Sequence, residues 1–352
     1  MGEPFGFGII GAGVISAWHA AGIKAHPDGR LVAVASRSRT RAEAFGSEHG
    51  CAVLSDWREL IRRDDVHAVS ICTPSGLHAE QAIAAAEAGK HVLVEKPMAI
   101  DLRGCDAMIA ARANNVKLGV IFQKRTDDAP NRLKKAVDDG VFGKIFFGDA
   151  SIKYWRNQAY YDSGDWRGTR ALDGGGCTMN QGIHGIDLLM YIMGEAESIF
   201  ARTDTVAHDI EVEDIAIALV RWKNGAYGRL QTATAVNPGQ GVYIEVNGTL
   251  GTGSLADDRI TGWAVSGSKE TLAVETITDT KVELSTAASS ATAFPTKGHV
   301  IQVANFIDAV RIGAPLVCSG EEGRRSVHLI MAMYESAKRK EEVFLDEITA
   351  VR

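Results

Sequence analysis

The chain has 352 residues, more than one average domain, and its 45% hydrophobic and 23% charged residues are the composition of an ordinary globular protein rather than a disordered or membrane-spanning one. A formal net charge of -6 argues against a nucleic-acid footprint, and no uninterrupted apolar run approaches the roughly 18 residues that a bilayer span needs. The start, "MGEPFGFGIIGAG", has no basic n-region and no small-residue cleavage pattern, so a cytoplasmic location with neither nucleic-acid nor membrane partners is expected.

Up to residue 124 the chain alternates strand and helix. "FGFGII" reads as a strand, a helix follows from about Val14, and "LVAVAS" and "VHAVSIC" are the next strands. "AEQAIAAAEAG" is an alanine-rich helix stopped by Gly89, "HVLVEK" a strand, "DLRGCDAMIAARANN" a helix and "VKLGVIFQ" a strand. Such alternation predicts a doubly wound parallel α/β sheet of Rossmann type over residues 1–124. Beyond Arg125 the pattern changes: helix "NRLKKAVDDG", strand-like "KIFFGDASIKYW", then two alternating runs joined by Asn224-Gly225, a hairpin signal. With "VYIEVNG", "RITGWAV" and "ETLAVETI" as further strands, residues 125–352 are expected to form an α+β domain with a mostly antiparallel sheet. Two helices close the chain, the last opened by a capping box of Ser319 and Glu322. Five scattered cysteines without a C-x-x-C pair read as buried small apolar residues, so neither a disulfide framework nor a metal site is expected.

Gly11, Gly13 and Ser16 form a G-x-G-x-x-S turn between the first strand and its helix, with Val14 and Ile15 at the helix start. Glycines there let backbone approach a pyrophosphate that the helix N–H groups meet, and Ser16 is small enough for the third glycine's place. A glycine-rich turn is often only a turn; the strand before it and the helix after it favour a dinucleotide. An NAD-binding fold places an acid about 20 residues further on, at the ribose hydroxyls. Here "AVASRSRTR" offers Ser36 and Arg37 and no acid before Glu43, which favours NADP over NAD, unless Arg37, Arg39 and Arg41 are merely solvated.

"CTPSGLHAE" and "VLVEKP" follow successive strands, so Thr73, Pro74, His78, Glu95 and Lys96 are expected at the carboxyl ends of the sheet, where ligands of open parallel sheets sit. A partly desolvated Lys96 near a nicotinamide cation has a lowered pKa and can polarise a substrate oxygen or exchange its proton. In "DGGGCTMNQGIHGID" a spacing of about 100° per residue puts Asn180, His184 and Asp187 on one polar face, with Ile183, Ile186, Leu189, Met190 and Met193 opposite. His184 can move a proton. Asn180 cannot, so it should orient a substrate hydroxyl or Lys96. Asp187 should fix the helix or the imidazole, and Gly174 to Gly176 should let backbone pass close to substrate. Gln123 and Arg125, at the domain junction, are further substrate candidates.

Together these features resemble the Gfo/Idh/MocA oxidoreductase family over nearly the whole chain. The resemblance rests on the glycine-rich turn, on T-P-x-x-x-H at Thr73 to His78, on A-G-K-H-V-x-x-E-K-P at Ala88 to Pro97, and on G-G-x-x-x-N-x-G-x-H-x-x-D at Gly175 to Asp187. It implies a Rossmann domain followed by an open-faced antiparallel sheet, nicotinamide between the domains and a sugar or cyclitol as substrate. Lys96 and His184 match the family's catalytic lysine and histidine; the third member, commonly an aspartate, is Asn180 here. The run "YWRNQAYYDSGDWRGTRALDGGGCTMNQGIH" is similar to the branch holding UDP-N-acetylglucosaminuronate 3-dehydrogenases and related sugar 3-dehydrogenases. In it Arg156, Tyr160, Tyr161, Trp166, Arg167 and Thr169 can stack on a sugar or bind an anionic substituent; alternatively they form an aromatic loop packed on the sheet.

The expected function is hydride transfer between NAD(P) and a carbinol carbon, C3 in first place, of a sugar, cyclitol or sugar derivative. In it His184 exchanges the hydroxyl proton, Lys96 assists and Asn180 positions the oxygen. Two alternatives use the same site: an NAD-dependent glycosidase working by transient C3 oxidation and elimination, and a non-catalytic sugar or nucleotide sensor. A homodimer or homotetramer is expected from the resemblance and the exposed sheet face.

Overall fold

A computed structural model describes residues 4–112, 116–267 and 297–350. The expected strand "ETLAVETI" lies outside the described residues. The chain divides into two compact units, Met1–Gln123 with Ser290–Arg324, and Lys124–Ser289 with Arg325–Val351. No helix among the described residues is long and apolar enough to cross a membrane.

The first unit holds strands β1 (Phe5–Ile10), β2 (Gly29–Ala35), β3 (Ala52–Leu54), β4 (Ala68–Ile71), β5 (His91–Val94) and β6 (Leu118–Val120). They form one parallel sheet in the order β3-β2-β1-β4-β5-β6. That is the Rossmann order, whose direction of winding reverses between β1 and β4 and opens a crevice at their carboxyl ends. All of β1 is buried, because helices cover both faces of the sheet. The helices are α1 (Val14–Ala25), α2 (Arg39–His49), α3 (Trp57–Ile61), α4 (His78–Glu87) and α5 (Leu102–Ala111). Chain reading passed over α2, β3 and α3; β3 has only three residues, none of them buried, and so leaves no apolar run to see.

A single cut after residue 124 does not contain the return of the chain to this unit. Besides α6 (Asp128–Asp138), α7 (Gln158–Asp162) and α8 (Ile183–Met193) of the second unit, the chain forms α9 (Lys297–Arg311), which belongs to the first. Its stripe of Val303, Phe306 and Ile307 joins Phe7, Ile9, Ile23 and Leu93 in one core. The last helix, α10 (Gly320–Arg339), opens with the expected capping box: Ser319 N donates to Glu322 Oε2 at 3.0 Å, and Glu322 N to Ser319 Oγ at 3.3 Å.

The second unit is built on β7 (Ile145–Lys153), β8 (Ala196–Asp204), β9 (Ile215–Trp222), β10 (Tyr227–Ala233), β11 (Gly241–Gly248), β12 (Gly251–Ala256), β13 (Arg259–Val265) and β14 (Val343–Phe344). Their order is β13-β12-β11-β7-β10-β9-β8-β14, antiparallel throughout except for β7 beside β10. Gly225, at φ +88, turns β9 into β10 where Asn224-Gly225 signalled a hairpin. Strand residues alternate in burial, one face packing against α8 while the other exposes Phe147, Phe200, Ile217, Leu219, Tyr227 and Tyr243. All five cysteines are free, and four are buried.

Candidate active site

The glycine-rich turn follows β1. Gly11 has φ +104, and a Cβ there would lie 2.6 Å from the Cys72 carbonyl oxygen, so only glycine lets this turn pass the end of β4. Gly13 caps α1 without a side-chain bond, and a Cβ on it would meet nothing within 4 Å. A helix N-terminus behind a glycine turn with room beside it fits the pyrophosphate of a dinucleotide. Val14 is exposed and Ile15 half-buried beside the turn, while buried Ser16 donates its hydroxyl back to the Gly13 carbonyl. At the end of β2, Arg37 is exposed and makes no ion pair among the described residues, whereas Arg39 is engaged by Glu43 at 2.7 Å. Ser36 Oγ accepts the Ser38 N–H at 3.3 Å.

Beyond β4 and β5 the structure separates residues that the sequence grouped together. Half-buried Thr73 donates its hydroxyl to Gln81 Oε1 at 2.7 Å, and Pro74 opens a short 3-10 turn. His78, expected at the cofactor, is instead 1% exposed, with Nδ1 2.8 Å from the Pro97 carbonyl and Nε2 2.9 Å from that of Thr73. It ties two loops together. Burial lowers its pKa, against the hydrogen bonds to the two carbonyls. Glu95 is likewise turned into the protein: Oε1 lies 2.9 Å from His19 Nε2 and 3.4 Å from His299 Nε2, and Oε2 accepts the Lys96 N–H at 3.2 Å. Burial alone would raise this carboxyl, but the hydrogen bonds from the two histidines outweigh it and hold Glu95 well below the usual carboxylate range. Burial also lowers His19, so its neutral ring donates from Nε2 while Nδ1 accepts from the Ser70 hydroxyl. Lys96 is half-buried at the end of β5, and Gln123, a candidate expected at the domain junction, opens the turn after β6.

In the second unit, the stretch expected to be one α-helix begins as a π-helical turn, Cys177–Gly182, and becomes α8 only at Ile183. Such wide turns recur at functional sites. Glu213 anchors the turn: its carboxylate accepts Gly176 N and Thr178 N, each at 3.0 Å, and the Tyr334 hydroxyl at 2.9 Å. The last two glycines before it are required by this packing. A Cβ on Gly176 would lie 1.7 Å from the Glu213 carbonyl oxygen, and one on Gly175 would lie 2.2 Å from Tyr334 Oη. Asn180 Nδ2 donates to Asp173 Oδ1 at 2.6 Å, and Asp173 Oδ2 accepts the Gly168 N–H at 2.9 Å. Asp173 thus orients Asn180, a role the chain reading missed although Asp173 opens the glycine run.

The polar face of α8 is not solvated. His184 is half-buried, and Asp187 is as buried as Ile183 and Leu189 opposite it. Arg125 Nε and Nη2 reach Asp187 Oδ2 and Oδ1, both at 2.7 Å, and the Ser326 hydroxyl donates to Oδ1 at 2.9 Å. The Arg125 side chain is 5% exposed, so its fork is committed to holding α8 rather than presented to substrate as expected.

The aromatic run splits in two. Tyr161 is core, its hydroxyl 2.8 Å from Thr234 Oγ1, and Thr169 closes a turn onto the Trp166 carbonyl at 2.7 Å. The remainder cluster around Tyr160. Arg167 Nη1 donates to its hydroxyl at 2.6 Å, as does Gln181 Nε2 at 3.1 Å, while the Arg156 and Arg167 guanidiniums lie 5.2 and 4.3 Å from its ring centre. Arg167 also lies over Trp166 at 4.5 Å. Neither arginine makes an ion pair among the described residues, and Arg156 Nε is buried without a hydrogen-bond partner there. Two cations on one phenol, neither in an ion pair among the described residues, suit a carboxylate or phosphate.

Residues 5–122 match the Gfo/Idh/MocA "Oxidoreductase family, NAD-binding Rossmann fold", and residues 131–254 match the GFO/IDH/MocA C-terminal domain. The crystal structure of the WlbA dehydrogenase from Bordetella pertussis, in complex with NADH and UDP-GlcNAcA, superposes with a TM-score of 0.86. It is 32% identical, and the match covers 97% of this chain and 98% of that one. Myo-inositol 2-dehydrogenase of Thermotoga maritima is 30% identical over 97% of this chain and 98% of its own. Levoglucosan dehydrogenase of Pseudarthrobacter phenanthrenivorans is 31% identical over 69% and 71%.

Proposed function

Since the chain belongs to the Gfo/Idh/MocA oxidoreductase family, we propose that it moves a hydride between nicotinamide and a carbinol carbon, C3 in first place, of an anionic sugar or cyclitol derivative. The observation that carries this reading is Lys96 at the carboxyl end of β5, on a sheet whose glycine turn fits a dinucleotide. The bound dinucleotide supplies or takes the hydride. His184 exchanges the hydroxyl proton, the Lys96 ammonium steadies charge on the same oxygen, and Asn180, held by Asp173, orients it. The Arg156 and Arg167 pair supports an anionic substrate, and the UDP-GlcNAcA bound by the WlbA dehydrogenase is one of that class. Exposed Arg37 and the lack of an acid after β2 support NADP over NAD, although the WlbA complex contains NADH.

The test is a screen of free sugars, uronates, cyclitols, glycosides and nucleotide sugars against both cofactors, following absorbance at about 340 nm and product release. Net cofactor reduction with acidic sugars or nucleotide sugars is expected, and Arg37→Ala should erase the preference for NADP, a loss of about tenfold for one charged hydrogen bond. Aglycone release without net absorbance change, or turnover confined to neutral sugars, would reject the reading.

The apolar outer face of the second sheet supports a homodimer or homotetramer closed across that face. Leu219, 63% exposed, pairs across the strands with Phe200, and Tyr227 with Phe147. Light scattering of Leu219→Glu should then give a smaller particle than the parent at equal concentration, with unchanged circular dichroism; an equal mass would exclude this face.

A further inference from the structure

We propose that His19, Glu95, His299 and His78 form a buried frame that positions Lys96 from both sides of its backbone. The inference rests on the reading of Lys96 as a residue of the reaction. On the amino side, the Glu95 carboxylate accepts the Lys96 N–H at 3.2 Å and is itself held by His19 on α1, at 2.9 Å, and His299 on α9, at 3.4 Å. Glu95 N donates to the Ile71 carbonyl at 3.0 Å, which fixes the same residue to the end of β4. On the carboxyl side, the Pro97 carbonyl lies 2.8 Å from His78 on α4. Three helices and a neighbouring strand thus converge on residues 95 to 97. His19, His78 and His299 are each no more than 1% exposed, and Glu95 is 7% exposed.

A carboxylate in such a place is costly to desolvate, and apolar residues of the same volume would pack there without that cost. What the polar set provides is a unique backbone position for residues 95 to 97. The titratable groups packed around Glu95 are His19, Cys72, His78 and His299. The three ligand atoms of His19, Glu95 and His299 also lie within 4.8 Å of one another, close enough to invite a cation. Their spacing is that of hydrogen bonds instead. Zinc bonds of about 2.0–2.1 Å set tetrahedral ligand atoms about 3.3 Å apart, against 2.9 Å between His19 and Glu95. A metal-bound imidazole also donates its second N–H, whereas His299 Nδ1 has no hydrogen-bond partner among the described residues.

Glu95→Gln keeps the shape and removes the charge. With the full chain, its kcat should fall about 10- to 100-fold, as misplaced reacting groups do, while sugar KM and cofactor Kd stay within about twofold. A purely structural Glu95 would lower the melting temperature and leave kcat in place, which overturns the proposal. If Glu95→Gln is not recovered folded, His299→Leu removes one donor, keeps the charge and carries the test by the same split of kcat from KM. Activity in Lys96→Met would instead sink the assignment of Lys96 itself. Zinc at one per chain in the purified protein, lost in Glu95→Gln, would replace the hydrogen-bonded frame by a metal site.

Discussion

Replacing Lys96 by methionine or His184 by asparagine is expected to lower kcat by about 10²- to 10⁴-fold, the range for loss of a positioned acid or base, with dinucleotide affinity changed by no more than about twofold. Methionine keeps most of the lysine stem, so a half-buried residue 96 still fills its place at the end of β5 but carries no charge to the substrate oxygen. Asparagine in place of His184 keeps hydrogen-bonding capacity on α8 and cannot exchange a proton near neutral pH. The measurement is steady-state turnover with the best substrate of the screen, paired with calorimetric titration of the cofactor. Full turnover in either variant would reject that residue as catalytic, and lost cofactor binding would move it to the dinucleotide site. Asn180 belongs to the same test. Because Asp173 holds its amide, Asn180→Ala should act through substrate orientation, with a smaller loss than either catalytic variant.

Local features were legible in the chain wherever one residue type has one physical use. Gly11 takes the φ of +104 that its turn needs, Gly225 turns the hairpin at φ +88, and Ser319 with Glu322 caps α10. Each is a contact within a few residues or a backbone angle. What remained hidden was the partner of each polar side chain. Glu95, which follows β5, and His78, which opens α4, read as cofactor residues from sequence, because a polar residue near a strand end reads as exposed until its partners are known. His19 is 76 residues from Glu95, and Asp187 is 62 from Arg125. No periodicity reports pairings at that range. The return of α9 to the first unit is of the same kind: the helix was expected, but not the sheet it would cover. The π-helical turn escaped because it needs Glu213, a distant residue, to accept the backbone N–H groups at its start.

Asp187→Ala should destabilise the second unit by about 3–5 kcal/mol, the cost of removing one partner from a buried ion pair. The Asp187 side chain is 1% exposed and that of Arg125 5%, and two parallel N–H donors of the guanidinium end on the two carboxylate oxygens. Without the carboxylate, a permanently charged guanidinium stays where water does not reach, and the Ser326 hydroxyl loses its acceptor as well. Removing both charges is a different experiment. Arg125→Met with Asp187→Leu replaces the pair by apolar groups of similar volume, and most of the lost stability should return. The chain has two units, so a single unfolding free energy is not well defined; tryptophan fluorescence in urea should resolve an early transition in Asp187→Ala that the double variant shifts back. A midpoint unchanged in the single variant would mean that water reaches the pair and that α8 is held by its apolar face alone. Since His184 is carried by α8, the double variant also separates position from charge. Recovered stability with recovered turnover assigns the pair to holding the helix, while recovered stability with turnover still lost would give Arg125 a direct part in the chemistry.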